Sequence, residues 1–152
     1  MSTPIIGPDL TQRAPRSPRV RLGGFVILPR MLDKCRATLI GKNGEYHFNC
    51  PLDHHFLKFA GIDAELLKAE VAKGLGDGEI LDWITANATI KNKPWEILQW
   101  SAYQDLRGPD SDADTLGWFA ETAGKLSKTR EDITTWFALL DVDDHVSFGG
   151  KA

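Results

Sequence analysis

The densest group of reactive side chains in this 152-residue sequence lies in residues 46–55. This stretch reads Tyr-His-Phe-Asn-Cys-Pro-Leu-Asp-His-His, and it holds one of the two cysteines and three of the four histidines. Its cysteine, Cys50, directly precedes Pro51, and proline is common in the first turn of a helix. We therefore predict Cys50 at a helix N-terminus, where the helix dipole and the free N–H groups favour a thiolate.

His54 follows Cys50 by four residues, which places it one helical turn away, within reach for proton transfer. A histidine beside a cysteine is a common way to activate a thiol nucleophile, and Asp53 or Asn49 could orient the imidazole. The pattern predicts a catalytic set made of Cys50, Asp53 and His54. The alternative is that Cys50 is a small buried hydrophobic residue and that the histidines face solvent.

The same stretch contains ligand types that suit zinc, because a cysteine and three histidines are closely spaced. However, a structural zinc site normally has four ligands, the sequence has no second cysteine pair, and His145 is remote. We therefore predict no metal site.

A second polar group follows Pro29, which is expected to open a helix. Arg30 shares a helical face with Asp33 and Lys34, at spacings of three and four residues. Together with Arg36, these cations could hold a carboxylate or phosphate, arginine through a bidentate contact. The alternative is a charged outer face with an intrahelical pair between Arg30 and Asp33.

A third group, residues 110–121, has acidic side chains at positions 1, 3, 5 and 12, as in a calcium-binding EF-hand loop. Position 6 is Thr115, where such loops need glycine for a sharp turn, and position 8, normally apolar, is Gly117. We interpret the aspartates as residues that favour the N-terminus of the following helix, with calcium binding as the alternative.

The composition is that of an ordinary globular chain, with 42% hydrophobic and 26% charged residues. Two cysteines do not make a disulfide framework, and no signal-peptide pattern is visible. Apolar runs such as residues 25–28 are short, whereas a membrane helix needs about 20 residues. We expect a soluble, cytoplasmic protein with free thiols that does not enter a membrane.

The charge is unevenly distributed along the chain. Residues 1–36 hold seven Lys/Arg and two Asp, giving +5, whereas the rest hold eleven Lys/Arg and nineteen Asp/Glu, giving −8. A basic segment can bind an anion or a nucleic acid. Because the chain as a whole is acidic, we expect this segment to fold against the rest, and nucleic-acid binding is disfavoured.

The chain divides into an extended arm, residues 1–24, and a single helical domain, residues 25–152. The arm contains four of the eight prolines and three glycines, which disfavour a helix. The domain shows a series of helix starts: Pro29, Pro51, Asp63, Asp77, Pro94, Asp112 and Thr129. The predicted class is mainly α, a compact bundle of several helices with at most one short β-hairpin, for which residues 45–48 are the candidate strand.

Two helical stripes were assigned to the core from their spacing. In the helix that starts at Pro94, the stripe is made of Trp95, Leu98, Ala102 and Leu106. In the last helix, which a capping box formed by Thr129 and Asp132 would start, it is Ile133, Trp136, Phe137 and Leu140. The tail from Val142 shows no helical period.

Two segments resemble the bacterial Domain of Unknown Function 5069 family. They are Leu28-Pro-Arg-Met-Leu-Asp-Lys-Cys-Arg-Ala37 and Gly44-Glu-Tyr-His-Phe-Asn-Cys-Pro-Leu-Asp53, followed by Phe56 and Phe59-Ala-Gly-Ile-Asp63. The similarity covers mainly residues 15–65 and is looser to about residue 90. The family has no activity to carry over. The resemblance implies a bacterial cytoplasmic protein in which these polar residues belong together: Arg30, Asp33, Lys34, Arg36, Tyr46, Asn49, Cys50 and Asp53.

The function that these observations favour is binding of an anionic small molecule, with or without catalysis, where the 30–36 helix meets the 46–54 segment. In this hypothesis Arg30, Asp33, Lys34, Arg36, Tyr46 and Asn49 bind the ligand, and Cys50, Asp53 and His54 act on it. The alternative is a helical module for protein interaction or self-association, such as a homodimer. Whether the protein is an enzyme, and which cofactor it would use, stay open.

Overall fold

The computed structural model describes residues 4–110 and 112–152 and contains seven α-helices within them. The helices are α1 (Leu28–Leu39), α2 (Pro51–Ala60), α3 (Ala64–Val71), α4 (Asp77–Asn87), α5 (Pro94–Leu106), α6 (Ala113–Leu126) and α7 (Trp136–Ser147). The mainly helical class is therefore confirmed, while a domain boundary at residue 24 stays a prediction. None of the seven is long and apolar enough to cross a bilayer.

The helices start where local chemistry favours a start. Proline occupies the first turn of α1, α2 and α5, where its missing N–H costs nothing. The carboxylates of Asp63 and Asp112 accept hydrogen bonds from Leu66 N (3.0 Å) and Thr115 N (2.9 Å), and so cap α3 and α6.

Helix α1 lies at the centre of the main core, packed against α2 and α3. Its apolar side chains, such as Met31 and Leu32, are fully buried, and Phe137 of α7 joins the same cluster. Cys35 is also buried there, and burial raises the pKa of its thiol to about 12. A second, smaller core forms between α6 and α7 around Phe119.

Residues 45–48, the candidate strand, do not form one: Glu45 and Phe48 lie in turns, and Tyr46 and His47 between them are irregular. A bridge links Leu22 and Phe25 instead, each donating its N–H to the other's carbonyl at 3.1 and 3.0 Å. Gly23 and Gly24 between them have φ of 60° and 85°, the left-handed backbone that a two-residue hairpin needs.

The prediction for the start of the last helix was wrong, because the N-cap of α7 is Thr135 and not Thr129. The Thr135 hydroxyl accepts the N–H of Ala138 at 3.1 Å. Asp132, the other half of the expected capping box, forms an ion pair with Arg130 at 2.7 Å. Helix α7 therefore starts later than predicted and extends to Ser147, within the segment from Val142 in which the sequence shows no helical period.

The predicted core face of α5 was also wrong, since Trp95, Leu98 and Leu106 are 56%, 54% and 78% exposed. Ser101 is fully buried instead: its hydroxyl donates to Gly24 O at 2.6 Å and accepts from Val26 N at 3.1 Å. Trp100 stacks on Phe59 with ring centroids 4.7 Å apart. These contacts orient α5 with its more apolar stripe outward.

We expect Gly23→Ala to lower the free energy of unfolding by roughly 1–3 kcal/mol. An alanine at this position would have to keep φ at 60°, which residues with a Cβ rarely adopt, and its Cβ would lie 2.6 Å from Leu81 Cδ1. The control is Gly78→Ala in α4, where no neighbouring heavy atom lies within 4 Å. That variant should be neutral or stabilised by about 0.4–1 kcal/mol, as measured by urea unfolding. Equal effects of both changes would contradict the proposed turn geometry.

Candidate functional site

Helix α1 carries two buried positive charges one turn apart. Arg30 and Lys34 are each only 3% exposed. A buried charge is tolerated only with a close counter-charge, and each cation has one. Arg30 pairs with Asp144 of α7 at 2.7 Å, and Lys34 pairs with Asp53 of α2 at 2.9 Å.

The Arg30 pair is bidentate and extends to Tyr46. The Arg30 guanidinium donates to both Asp144 oxygens, at 2.7 and 3.3 Å. The Tyr46 hydroxyl donates to Asp144 Oδ1 at 2.7 Å, and the guanidinium lies 5.5 Å from the centre of the Tyr46 ring. Burial and this hydrogen bond to a carboxylate raise the pKa of Tyr46, so the phenol stays protonated.

The ion pair between Lys34 and Asp53 lies beside Cys50, the predicted nucleophile. Lys34 Nζ lies 3.2 Å from Cys50 Sγ and 2.9 Å from Asp53 Oδ1. The other oxygen of Asp53 accepts the backbone N–H groups of Asn49 (2.9 Å) and Cys50 (3.4 Å). Asp53 thus holds the N-terminus of α2 and the ammonium group at once, and Cys50 occupies the predicted N-cap.

The segment before α2 is shaped by two turns. Tyr46 N donates to Asn43 O at 2.9 Å, and Asn43 Nδ2 donates to Tyr46 O at 2.8 Å. Asn49 has φ of 66°, a left-handed backbone that asparagine tolerates better than most residues. From the arm, Leu10 is buried and donates its N–H to Lys42 O at 2.8 Å. These contacts bring Tyr46 and Cys50 to the same side of α1.

A cleft of about 560 Å³ lies between α1, this segment and the end of α7. Arg30, Lys34, Tyr46 and Cys50 line it, and Cys50 is half-buried there. Apolar side chains cover other parts of its wall: Leu10, Leu52, Leu140 and Phe148. Its exposed charged or titratable residues are Glu45, His47 and Asp143. The cleft therefore combines hydrocarbon surface with polar and charged groups that can fix the orientation of a small molecule.

The structure places His54 apart from this cleft. His54 Nε2 lies 2.7 Å from Asn49 Oδ1, and both residues line a separate surface depression with Lys58 and Glu65. The Cys50 side chain accepts from Lys34, and the Cys50 backbone N–H donates to Asp53, whereas His54 contacts Cys50 through its backbone N–H, which donates to Cys50 O at 3.1 Å. The cation beside the sulfur is therefore a lysine, which the spacing of the sequence did not suggest.

Asp33 and Arg36 lie on another side of α1, away from the cleft. Asp33 pairs with Arg16 of the arm at 3.0 Å, and Arg36 pairs with Asp77 of α4 at 2.7 Å. Arg16 also pairs with Asp77 at 2.7 Å, so four charges link the arm, α1 and α4. The intrahelical pair between Arg30 and Asp33 is replaced by these contacts.

Sequence reasoning missed Asp144, the counter-ion of Arg30. The residue lies in the tail that showed no period, and it follows the buried Phe137 by seven residues. Residues seven positions apart share a helical face, so a longer α7 places Asp144 on the same buried face as Phe137. This spacing was the signal that could have identified Asp144. Arg16, one of the seven basic residues of the 1–36 segment, contacts two carboxylates, for which the sequence carried no signal.

Within residues 4–110 and 112–152, no group of three or more His, Cys, Asp or Glu side chains could hold a metal ion. In the 110–121 stretch, Asp112 caps α6, in line with the helix-start interpretation. Ser111 of that stretch lies outside the described residues.

The fold and the site define a small helical domain whose cleft is built around two neutralised cations. Residues 12–146 match the family described as Domain of unknown function (DUF5069), and the chain belongs to this family. The match runs from the arm to the end of α7, so the C-terminal helices beyond residue 90 are family features too. A comparison with curated proteins finds no match.

We expect Asp144→Ala to destabilise the fold by about 3–5 kcal/mol, because it leaves the Arg30 guanidinium buried without a counter-ion. The double variant Arg30→Met, Asp144→Leu should be markedly more stable than the single one, since both charges are gone. Chemical unfolding measures both. As a control, Asp132→Ala removes a surface partner of Arg130 and should change little. A double variant no more stable than Asp144→Ala would contradict the argument.

Proposed function

We propose that the protein binds a small molecule in this cleft and that Cys50 acts on it as a nucleophile, with Lys34 as the cationic partner of the sulfur. The observation that carries the proposal is the 3.2 Å distance between Lys34 Nζ and Cys50 Sγ at the wall of the cleft. The reducing cytoplasm is the compartment that would keep such a thiol free.

Lys34 suits this role because its charge is fixed in place. The side chain is 4% exposed, and Asp53 holds the ammonium group at 2.9 Å. A fixed positive charge beside the sulfur stabilises negative charge that develops during the reaction. Asp53 is then a positioning residue rather than a base, because its oxygens already accept hydrogen bonds from Lys34, Asn49 and Cys50.

The charges of the cleft favour a ligand whose polar end is an uncharged carbonyl group, such as that of an ester. Arg30 and Lys34 are each neutralised by a carboxylate, and Glu45 and Asp143 add negative charge at the cleft. These charges would repel a multiply charged anion. An ammonium has three N–H donors, and Lys34 uses two on described residues, which leaves one for the ligand.

The apolar side chains that line the rest of the cleft favour a ligand with a hydrocarbon part beside its polar end. Leu52, Leu140 and Phe148 offer hydrocarbon surface near the polar end. His47 lines the cleft and is exposed, so it replaces His54 as the histidine that we assign to proton transfer. The proposed function is thus attack of the Cys50 thiol on the carbonyl carbon of an amphipathic ester: a C–S bond forms, the ester C–O bond breaks, and the thiol proton passes through His47 to the leaving alcohol. Water then hydrolyses the thioester and restores the thiol.

We expect iodoacetamide to label Cys50 in the native protein and to leave Cys35 unmodified, because burial holds the pKa of Cys35 at about 12. The variant Lys34→Met, Asp53→Asn removes both charges together, and it should slow labelling of Cys50 several-fold. Peptide mass spectrometry over a time course measures both rates. The control is Lys58→Met, a change at an exposed lysine of α2.

Circular dichroism checks that the double variant is folded. A native Cys50 that resists labelling would rule out the nucleophile. Equal labelling rates in the folded double variant and the wild type would rule out the role of Lys34.

The proposed binding of a small molecule in the cleft can be measured separately from the reactivity of Cys50. A panel of esters with apolar chains, screened by thermal shift, should contain compounds that raise the melting temperature. Phe148→Glu places a charge at the cleft and should abolish that shift, because the apolar part of the ligand then meets a carboxylate. Leu116→Glu, at a similarly exposed apolar position of α6, should leave the shift intact. A shift that survives Phe148→Glu would place the ligand elsewhere.

A further inference from the structure

Helix α5 presents an uncharged, largely apolar surface to solvent. Four of its large side chains are strongly exposed: Trp95 (56%), Leu98 (54%), Tyr103 (61%) and Leu106 (78%). Gln99 and Ala102 lie between them and are exposed as well. These six residues are called the α5 face below. Other large apolar side chains of the structure are exposed on separate elements, for example Ile40 after α1 and Leu66 on α3.

The α5 face has the spacing of a helix–helix contact. Trp95, Leu98, Ala102 and Leu106 recur at intervals of three, four and four residues, which gives a stripe about 16 Å long at 1.5 Å per residue. At 100° per residue, charged residues flank this stripe on its two sides and do not enter it: Glu96 on one side and Asp105 on the other. Such a stripe normally packs against another helix.

We propose that the α5 face is covered by the α5 face of a second copy of this chain, with the two helices antiparallel. A two-fold axis near the middle of the stripe places Trp95 opposite Leu106 of the other copy. It also places Leu98 opposite Tyr103 and Gln99 opposite Ala102. Pairs of large side chains then lie towards both ends of the contact and the smaller pair of Gln99 and Ala102 lies at its centre, and the same surface is used twice, as in an isologous dimer.

Charge complementarity selects the antiparallel arrangement. Glu96 lies near the start of α5 and Arg107 directly after its end, at similar angles around the helix axis. Antiparallel pairing brings Glu96 of one copy within one turn of Arg107 of the other, and symmetry repeats the contact. Parallel pairing would instead place the flank that carries Glu96 and Arg107 against the opposite flank of the other copy, so the contact between these two residues would not form.

Arg107 is available for such a contact. The residue is partly exposed and makes no ion pair among the described residues, and its guanidinium lies 5.7 Å from the centre of the Trp136 ring. Glu96 uses Oε1 to accept the N–H of Lys93 at 3.0 Å, so its second oxygen can face a partner. On the other flank, Asp105 is already paired with Arg21 at 2.8 Å.

The area of the face is enough for a modest dimer. Fully buried tryptophan and tyrosine side chains cover about 150–250 Å² each, so the half-exposed α5 face offers roughly 500 Å² per copy. Two copies together then bury about 1,000 Å², near the lower limit for a specific interface. We therefore expect a dimer that dissociates in the micromolar range.

Sedimentation equilibrium of the full chain over a micromolar concentration series tests the proposal. The wild type should show a concentration-dependent dimer, and Leu98→Glu should be monomeric throughout, because it places two charges in the centre of the contact. Leu66→Glu is the matched control, since Leu66 is similarly exposed on α3, and it should dimerise like the wild type. If Leu98→Glu fails to fold by circular dichroism, Leu106→Glu in the last turn of α5 takes its place.

Cysteine cross-linking tests the orientation in a Cys50→Ser background. An equimolar mixture of the Gln99→Cys and Ala102→Cys variants should form the mixed disulfide in preference to either homodisulfide, because these positions are opposite only in antiparallel helices. Preferred homodisulfides would overturn the antiparallel arrangement. A monomeric wild type would overturn the proposal, and so would a dimer that persists in Leu98→Glu. The proposal would also be overturned if the chain is a monomer and a different protein binds its α5 face.

Discussion

Two positive charges inside α1 impose the main constraint on this structure. Moving an ion from water into a protein interior costs several kcal/mol even after relaxation, so Arg30 and Lys34 can be buried only beside carboxylates. Asp144 must therefore come from α7 and Asp53 from α2, which fixes where both helices dock on α1. Apolar packing around Met31 and Phe137 supplies the bulk of the driving force, and the two ion pairs select the arrangement.

The same constraint builds the cleft. Because each cation is neutralised within the protein, the cleft holds fixed, oriented donors without a large excess of positive charge. Catalytic sites gain from groups that are already oriented before the ligand arrives, and here Asp53 and Tyr46 provide that orientation. Site and core thus depend on the same residues, and the exposed side of α5 is left for contacts outside the chain.

Local chemistry made much of the fold predictable, since prolines and aspartates start the helices and Cys50-Pro51 marks the start of α2. Long-range choices were not predictable from spacing. Helix α5 has two possible inward faces, and hydrogen bonds of Ser101 with Gly24 and Val26 decide between them. In the site, the segment around Cys50 was found from its residue types, whereas Asp144 was hidden because α7 lacks an uninterrupted apolar stripe.

The pair between Arg30 and Asp144 also has a consequence for the order of events during synthesis. Its partners are 114 residues apart, and the contact between Tyr46 and Asp144 spans 98 residues. A nascent chain that ends before α7 carries a guanidinium in α1 with no counter-ion, so the burial of Arg30 must follow the synthesis of Asp144. The site and the centre of the core then close in one late step over a long loop, whose closure slows folding.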